Sequence, residues 1–243
     1  MVGFSVPELL AAAAIAAVAG VVRGITGFGG AMVMAPPLAL LLGPALAVPV
    51  VLALESIAAA PMLVQTRREV RWPLVGPMLA AACVAAPLGS YVLIVAEPQA
   101  LRRAIAAIVI VFSLLLLLGW RYAGRQRTGT SVAIGAVSGA MLGATSIGGP
   151  PVILYLLSGP DSVTTTRANL SLYIAATALA GLLALWAGGA LATGAVLASL
   201  LLAPGYLAGL AGGVRAFPRF DDQRFRRFTL LLLITMAAGI LLV

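Results

Sequence analysis

The sequence predicts an all-α polytopic membrane protein of two inverted repeats, each a broken or re-entrant helix pair followed by three transmembrane helices. Three observations support this fold class. The 243 residues are 62% hydrophobic and only 9% charged, whereas soluble domains carry about 25% charged residues. Several apolar runs reach the roughly 20 residues that span a bilayer. Two glycine-rich motifs, each inside an apolar stretch, occupy matching positions in the two halves.

Ten apolar segments follow one another along the chain. They are 7–22, 31–42, 44–64, 73–95, 99–120, 130–142, 149–158, 164–187, 193–213 and 226–243. The pairs 7–22/31–42 and 130–142/149–158 are shorter than the others and flank the glycine motifs. Each pair is either a re-entrant hairpin or two short, tilted helices, and in both cases it returns the chain to its starting side. The remaining segments are long enough, or just long enough, to cross a bilayer.

The distribution of arginine between the predicted loops orients these segments. With both pairs returning to their starting side, only Arg102 and Arg103 lie in loops on the N-terminal side, and the other loop arginines lie opposite. The positive-inside rule makes that opposite side the cytoplasm. We therefore expect a multi-pass protein of the bacterial inner membrane with both termini outside. The positive charge then marks cytoplasmic loops and not a nucleic-acid partner.

The same topology defines the repeats. The first repeat, 1–120, starts outside; an arginine-rich cytoplasmic linker follows at 121–129; the second repeat, 130–243, starts inside. The two halves are therefore predicted to be inverted relative to one another. Secondary transporters built in this way place their substrate site near the midplane, at the repeat interface.

Each half contains one glycine-rich motif that interrupts an apolar stretch. The motifs read Gly24-Ile25-Thr26-Gly27-Phe28-Gly29-Gly30 and Gly143-Ala144-Thr145-Ser146-Ile147-Gly148-Gly149. A helix that breaks within the bilayer exposes backbone groups that lipid cannot satisfy, so such breaks persist only where they line a cavity or are buried in protein. Paired breaks in corresponding positions of two halves indicate the binding site of a transporter.

The segments after the motifs predict the chemistry of this site. A new helix begins after each motif, and the second has Pro150-Pro151 in its first turn. A helix N-terminus favours an anion, and glycine allows a substrate to approach the backbone closely. We therefore expect a cradle for a small anionic substrate, with hydroxyl groups as further donors. The predicted substrate-binding residues are Thr26, Gly27, Phe28, Gly29, Gly30, Thr145, Ser146, Ile147, Gly148 and Gly149.

Helix packing is the alternative explanation for part of this pattern. Small residues spaced by four occur where membrane helices pack closely. This spacing relates Gly20 to Gly24, and it relates Gly135, Gly139 and Gly143 to one another. Packing explains these five glycines, but it does not explain why each motif ends in a helix break.

Two charged residues inside apolar segments are candidates for ion coupling or a charge pair. Glu55 lies near the middle of its segment, where burial of a carboxylate costs about 2.5–3.5 kcal/mol. It either carries a proton or forms a structural ion pair with Arg23. Arg23 precedes the first motif and either faces the anion or neutralises Glu55; its counterpart in the second half is Leu142.

A polar group in segment 164–187 supplies secondary candidates. Arg167 lies near the predicted cytoplasmic end, where snorkelling to the interface is the alternative explanation. Asn169 and Tyr173 are four residues apart and share a helical face.

The composition argues against an enzyme. The chain has no histidine, which excludes histidine metal sites and histidine acid–base catalysis. No predicted span carries paired carboxylates. We therefore expect no cofactor and no metal. The single cysteine, Cys83, lies in an apolar run and is interpreted as a packing residue.

The chain resembles the TauE/SafE family of sulfite exporters, part of the wider TSUP transporter group. The resemblance covers nearly the whole chain and is carried by both motifs and the proline pairs that follow them, Pro36-Pro37 and Pro150-Pro151. It implies transport of sulfite, sulfonates and related sulfur oxyanions or organic acids across the inner membrane, driven by an ion gradient. Ser146 departs from the pattern, because the first half has Gly27 there; this makes the second break bulkier and more polar. The resemblance gives no role to Arg23 or Glu55.

Together these observations predict a secondary transporter that works by alternating access. Its partners are a small anion, the lipid bilayer and H+ or Na+ as the coupling ion. A passive anion channel of the same fold is the alternative, and a structural membrane protein is a further one. The sequence leaves the exact substrate, the direction of transport and the oligomeric state open.

Overall fold

The computed structural model describes residues 5–120, 122–216 and 222–241, with the backbone alone for 60–67, 163–164, 222–228 and 240–241. The described residues are helical and contain no strand, which confirms the predicted all-α fold class. The α-helices are α1 (Val6–Thr26), α2 (Gly30–Leu42), α3 (Pro44–Thr66), α4 (Trp72–Val95), α5 (Pro98–Leu117), α6 (Thr128–Thr145), α7 (Gly149–Leu156), α8 (Val163–Ala187), α9 (Thr193–Ala216) and α10 (Asp222–Leu241). Both chain ends and Arg121, in the predicted linker, lie outside the described residues.

Helix length and composition make this a multi-pass membrane protein. Within the described residues, α1, α4, α5, α8 and α9 are long and apolar enough to cross a membrane. Helices α2 and α7, which follow the breaks, have only 13 and 8 residues. At 1.5 Å per residue α7 is about 12 Å long, so it cannot cross a hydrocarbon core of about 30 Å.

The helices before the breaks are longer than predicted. Helix α1 continues to Thr26 and α6 to Thr145, although the predicted segments end at residues 22 and 142. With 21 residues, α1 is a full-length span and not a short one. Only residues 27–29 separate α1 from α2, and only residues 146–148 separate α6 from α7. The assignment of Gly24 and Gly143 to the breaks is therefore wrong, since both lie within helices.

Close packing of helix backbones explains why the chain stays helical there. A Cβ on Gly24 would overlap the backbone of Leu210 and Gly213 in α9. A Cβ on Gly143 would overlap the backbone of Ala86 and its neighbours in α4. The other spaced glycines make equivalent backbone contacts: Gly20 with α9, and Gly135 and Gly139 with α4. For these five glycines the packing interpretation is correct.

Helices α6 and α7 form a hairpin with both ends at one end of the helix bundle. The hydroxyl oxygens of Ser131 and Tyr155 are 2.9 Å apart, and Gln126 Nε2 donates to the Tyr155 carbonyl at 3.0 Å. Nearer the break, the Ser138 hydroxyl donates to the carbonyl of Gly148. The pair therefore returns to the end at which it began, as the predicted topology requires.

Contacts between loops agree with this topology. Arg71 Nη1 and Asp161 Oδ1 are 2.8 Å apart, so the segment before α4 and the segment between α7 and α8 lie at the same end of the bundle. If each broken pair crossed the membrane only once, these two segments would lie on opposite sides. The side of the membrane that this end faces stays a prediction.

The helices of the two halves pack against one another in a reciprocal pattern. The first helix of each half packs against the fourth helix of the other, as α1 against α9 and α6 against α4. The third helices, α3 and α8, pack together, and so do the fifth helices, α5 and α10. This reciprocal pairing is the one that a two-fold relation between the halves would produce; the relation itself stays a prediction. The inversion of the halves relative to a membrane stays a prediction.

Candidate functional site

The first break is a left-handed turn between α1 and α2. Gly27 has φ 79° and its N–H donates to the Arg23 carbonyl at 2.7 Å, which ends α1. Gly29 has φ 84° and precedes the first residue of α2. L-residues with a side chain rarely adopt such angles, and glycine adopts them freely. The backbone therefore requires glycine at both positions.

The second break repeats the first of these left-handed positions but not the second, because Gly148 has φ −103° where Gly29 has φ 84°. Ser146 occupies the place of Gly27: its N–H donates to the Leu142 carbonyl at 2.7 Å, and its φ is 61°. Within the described residues it is the non-glycine residue with a positive φ. Its hydroxyl donates to the Thr145 carbonyl at 2.5 Å. Ser146, which stands where the first motif has Gly27, is therefore a strained, polar residue in the second break.

The two motif threonines hold the breaks together. Thr26 Oγ1 lies 2.8 Å from the Val22 carbonyl and 2.6 Å from the Phe28 carbonyl. Thr145 Oγ1 donates to the Met141 carbonyl at 2.7 Å and accepts from the Ile147 N–H at 3.3 Å. Their predicted role as donors to a substrate does not fit this geometry, because each hydroxyl proton is engaged with a backbone carbonyl. Neither threonine lines the cavity described next.

One cavity lies between the two breaks. Its volume is about 30 Å³, enough for water-sized molecules and smaller than the roughly 300–1,000 Å³ typical of small-molecule sites, so a bound anion requires the cavity to widen. Predicted site residues from both halves line it. They are Phe28 and Gly29 from the first break, Ser146, Ile147, Gly148 and Gly149 from the second, and the charged residues Arg23 and Glu55. Their role in substrate binding stays a prediction.

The helices that follow the breaks begin at this cavity. Gly29 and Gly148, the N-cap residues of α2 and α7, both line it. No side chain among the described residues caps either N-terminus. Pro150 and Pro151 have no N–H, so the first turn of α7 offers fewer donors than that of α2. The cavity is therefore bordered by two positive helix dipole ends, of which α2 has more free donors.

The cavity wall is symmetric in position but not in charge. Phe28 and Ile147 are equivalent positions of the two halves and both line it, as do Gly29 and Gly148. The charged residues of the first half have apolar equivalents in the second. Arg23 corresponds to Leu142 and Glu55 to Ile174, and all four line the cavity.

Arg23 and Glu55 form a buried ion pair in this wall. Arg23 Nη1 contacts Glu55 Oε2, and the Tyr206 hydroxyl of α9 donates to Glu55 Oε1 at 2.8 Å. Arg23 is 3% exposed, Glu55 4% and Tyr206 0%. A buried charge needs a partner and hydrogen bonds to offset its desolvation, and this cluster supplies both. Tyr206 is not among the site residues predicted from the sequence, although it is the single tyrosine of an apolar span.

Gly30 makes room for this cluster at the start of α2. A Cβ on Gly30 would overlap Glu55 Oε1 and would lie 2.7 Å from the Tyr206 hydroxyl. The carboxylate therefore sits directly against the N-terminus of α2. Among the described residues, no group of three or more histidine, cysteine or acidic side chains lies together in a way that could hold a metal ion.

The secondary candidates do not line the cavity. Arg167 reaches from α8 to the first break, where Nη2 donates to the Ile25 carbonyl at 3.5 Å and Nε lies 3.1 Å from the place of a Cβ on Gly27. Asn169 Oδ1 accepts from the Arg71 N–H at 2.8 Å and so caps α4. Tyr173 is fully buried against Ser138. These three side chains support the breaks and helix ends around the site.

Exchange of the residue that occupies the left-handed position tests the geometry of the second break. Ser146→Gly removes the strain of a side chain at φ 61°, which we expect to raise the free energy of unfolding by about 1 kcal/mol. For a chain of this size that corresponds to a rise in melting temperature of about 2–4 °C, measurable by thermal unfolding of the purified protein.

The equivalent residue of the first break provides the matched comparison. Gly27→Ala places a Cβ at φ 79° and 3.1 Å from Arg167 Nε, so its melting temperature should fall. If Ser146→Gly lowered the melting temperature as well, the left-handed geometry of Ser146 would be contradicted.

Comparison with known protein families identifies the family of this chain. The sequence model of the family described as "Sulfite exporter TauE/SafE" matches residues 12–240, which include both breaks and all residues that line the cavity. No curated protein and no solved structure matches the chain. The extent of the family match shows that the chain belongs to the TauE/SafE sulfite exporter family of membrane transport proteins.

Proposed function

We propose that this chain is a secondary transporter that moves a small anion across the bacterial inner membrane by alternating access, driven by an ion gradient. The substrate class is sulfite, an organosulfonate, or a related sulfur oxyanion or organic acid. One observation carries the proposal: residues of both breaks, at equivalent positions of the two halves, line a single cavity. The family description supports sulfite as the first substrate to test.

The charges at the cavity favour an anion. Helices α2 and α7 begin there, and each N-terminus carries roughly half a positive charge. Arg23 also lies in the wall, where Glu55 balances its charge, so the net positive potential comes from the helix ends. Small oxyanions have several acceptor oxygens, which suits N–H donors that converge from two helices. The glycines keep side chains out of the space between the helices and allow the anion to reach the backbone.

The helix pairing supports alternating access. The first helix of each half packs against the fourth helix of the other half, so the cavity lies where the halves meet. Rocking of one half against the other would open such a site to each side in turn. The coupling ion is H+ or Na+. A passive channel differs in one respect: it cannot accumulate the anion against its electrochemical gradient.

The arginine distribution supports an orientation with both termini in the periplasm. In this orientation the arginines before α4 and before α6 face the cytoplasm, as the positive-inside rule requires. The ion pair between Arg71 and Asp161 supports the grouping of the loop before α4 with the loop after α7. The contacts of Gln126 and Ser131 with Tyr155 support the addition of the loop before α6 to this group.

Filling the cavity tests the proposed site. Gly149 lines the cavity, its φ is not positive, and a Cβ there would meet only Ile153 Cδ1, at 3.8 Å. Gly149→Leu therefore adds bulk to the cavity with little backbone strain. We expect uptake of radiolabelled sulfite into proteoliposomes, driven by a proton or sodium gradient, to fall about tenfold or more because the site no longer admits the anion.

Gly76→Leu is the matched control. Gly76 lies in α4, has no neighbour within 4 Å of its Cβ position and does not line this cavity. The same chemical change there should leave uptake unchanged. Equal uptake by the Gly149→Leu variant and the wild type would overturn the assignment of the site. Failure of the wild type to accumulate sulfite above equilibrium under either gradient would favour the channel.

Accessibility of single cysteines tests the orientation. In a Cys83→Ser background, Glu97→Cys lies between α4 and α5, on the predicted periplasmic side, and Arg127→Cys lies before α6, on the predicted cytoplasmic side. A membrane-impermeant maleimide should label intact spheroplasts at position 97 only and inside-out vesicles at position 127 only. The reverse pattern would invert the proposed topology.

A further inference from the structure

We propose that Glu55 is an internal anion that competes with the substrate for Arg23, so that each substrate anion enters the site together with one proton on Glu55. This inference rests on the proposed function and deepens it: it selects H+ as the coupling ion and names the group that carries it. It also assigns Arg23 as the charged group that binds the substrate.

The surroundings of Glu55 are those expected of a bound anion. One carboxylate oxygen contacts the Arg23 guanidinium, and the other accepts the Tyr206 hydroxyl at 2.8 Å. The same carboxylate lies against Gly30, the first residue of α2. A cation, a hydroxyl donor and a helix N-terminus are the groups that recognise an oxyanion. The Glu55 carboxylate therefore occupies the place of a bound anion in the half of the site that the first repeat supplies.

The second half of the cradle holds no such anion. Ile174 occupies the position equivalent to Glu55, and Leu142 the position equivalent to Arg23; both line the cavity. The cavity therefore contains one cation and one carboxylate, and they neutralise each other. A substrate that enters between the breaks meets Arg23 already paired.

Charge balance determines what happens to Glu55 when a substrate anion binds. Two anions beside one buried cation leave a net negative charge in a site that is shielded from water, and this is costly. When a monovalent anion takes the place of the carboxylate at Arg23, Glu55 binds a proton and becomes a neutral carboxylic acid. The site is neutral before and after. One proton is therefore taken up for each monovalent anion, and the Tyr206 hydroxyl remains as a hydrogen-bond partner for the acid.

No other described titratable group faces this pair. On α1 and α9 the groups are Arg23 and Tyr206 themselves. Helix α2 presents Gly30 and α8 presents Ile174. The other titratable groups of the helices that pack on α3 lie away from the pair. Arg167 of α8 donates to the Ile25 carbonyl, and Arg102 of α5 donates to the Ala39 carbonyl. Tyr173 of α8 lies beside Ser138 and near Cys83 of α4. Proton uptake on anion binding is therefore assigned to Glu55.

A merely structural ion pair predicts the opposite response to mutation. If Glu55 only held Arg23 in place, Glu55→Gln would weaken anion binding or leave it unchanged. If Glu55 competes with the substrate, Glu55→Gln removes the competitor and leaves Arg23 without a counter-charge. Anion binding should then become tighter and independent of pH.

The experiment measures the affinity for methanesulfonate, an anion whose charge does not change with pH. Isothermal titration calorimetry of the purified full-length chain gives Kd between about pH 5 and 8. Loss of the Glu55 proton restores the competitor, so the wild-type Kd should rise with pH, by about tenfold per unit at the limit of one linked proton. Titrations in two buffers of different ionisation enthalpy should show uptake of one proton per anion.

Three variants complete the test. Glu55→Gln should bind methanesulfonate at least as tightly at pH 8 as the wild type does at pH 5, without proton uptake. Glu97→Gln removes an exposed carboxylate outside the site and should behave as the wild type. Tyr206→Phe removes the hydroxyl that holds the carboxylate. The Tyr206→Phe variant should bind the anion more tightly than the wild type at pH 8. It takes the place of Glu55→Gln in the test if that variant does not fold.

The outcomes separate the two proposals. Saturable binding that is independent of pH in the wild type, or weaker binding by both Glu55→Gln and Tyr206→Phe, overturns the role of Glu55 and leaves the anion site intact. Absence of binding at every pH, with methanesulfonate, thiosulfate and sulfite alike, overturns the proposed function itself.

Discussion

Backbone N–H and C=O groups within a bilayer must be satisfied inside the protein, and both helix breaks depend on how this chain meets that requirement. Helix α9 covers α1 at backbone distance through Gly24, and α4 covers α6 through Gly143. At each break a threonine hydroxyl returns to the carbonyl of the preceding turn. Protein thereby covers the helices beside both breaks, and both breaks line the cavity between them.

Neighbouring helices cover the two breaks in the same way, but the cavity between the breaks is asymmetric in charge. Both halves supply a left-handed turn and a helix N-terminus, and these elements set the shape of the site. The first half adds the charged pair Arg23 and Glu55, and the second half has leucine and isoleucine at the equivalent positions. The site is thus electrically neutral at rest although both helix dipoles favour an anion. A neutral site with a displaceable internal carboxylate links anion binding to proton uptake without a permanent buried net charge.

The sequence was sufficient to predict the fold class, the helix order and the two breaks, because hydrophobic length and glycine position are local signals. It was not sufficient to predict where each helix ends. Gly24 carries the same signal whether it breaks α1 or packs against α9, and only the contact with α9 distinguishes the two. Tyr206 was missed because its contact with Glu55 joins residues far apart in the chain. For the same reason the sequence leaves Arg167 open between a site residue and an interfacial side chain, and only the structure shows its contact with the first break.

The location of a bound anion is the most direct measurement of the site. Selenite is a heavier analogue of sulfite, and its selenium scatters anomalously at an accessible X-ray edge. In crystals soaked with selenite we predict one strong anomalous peak between the two breaks, with its oxygens about 3 Å from N–H groups at the start of α2 and α7. A peak elsewhere in the protein, or an empty cavity at a saturating selenite concentration, would contradict an anion cradle formed by the paired breaks.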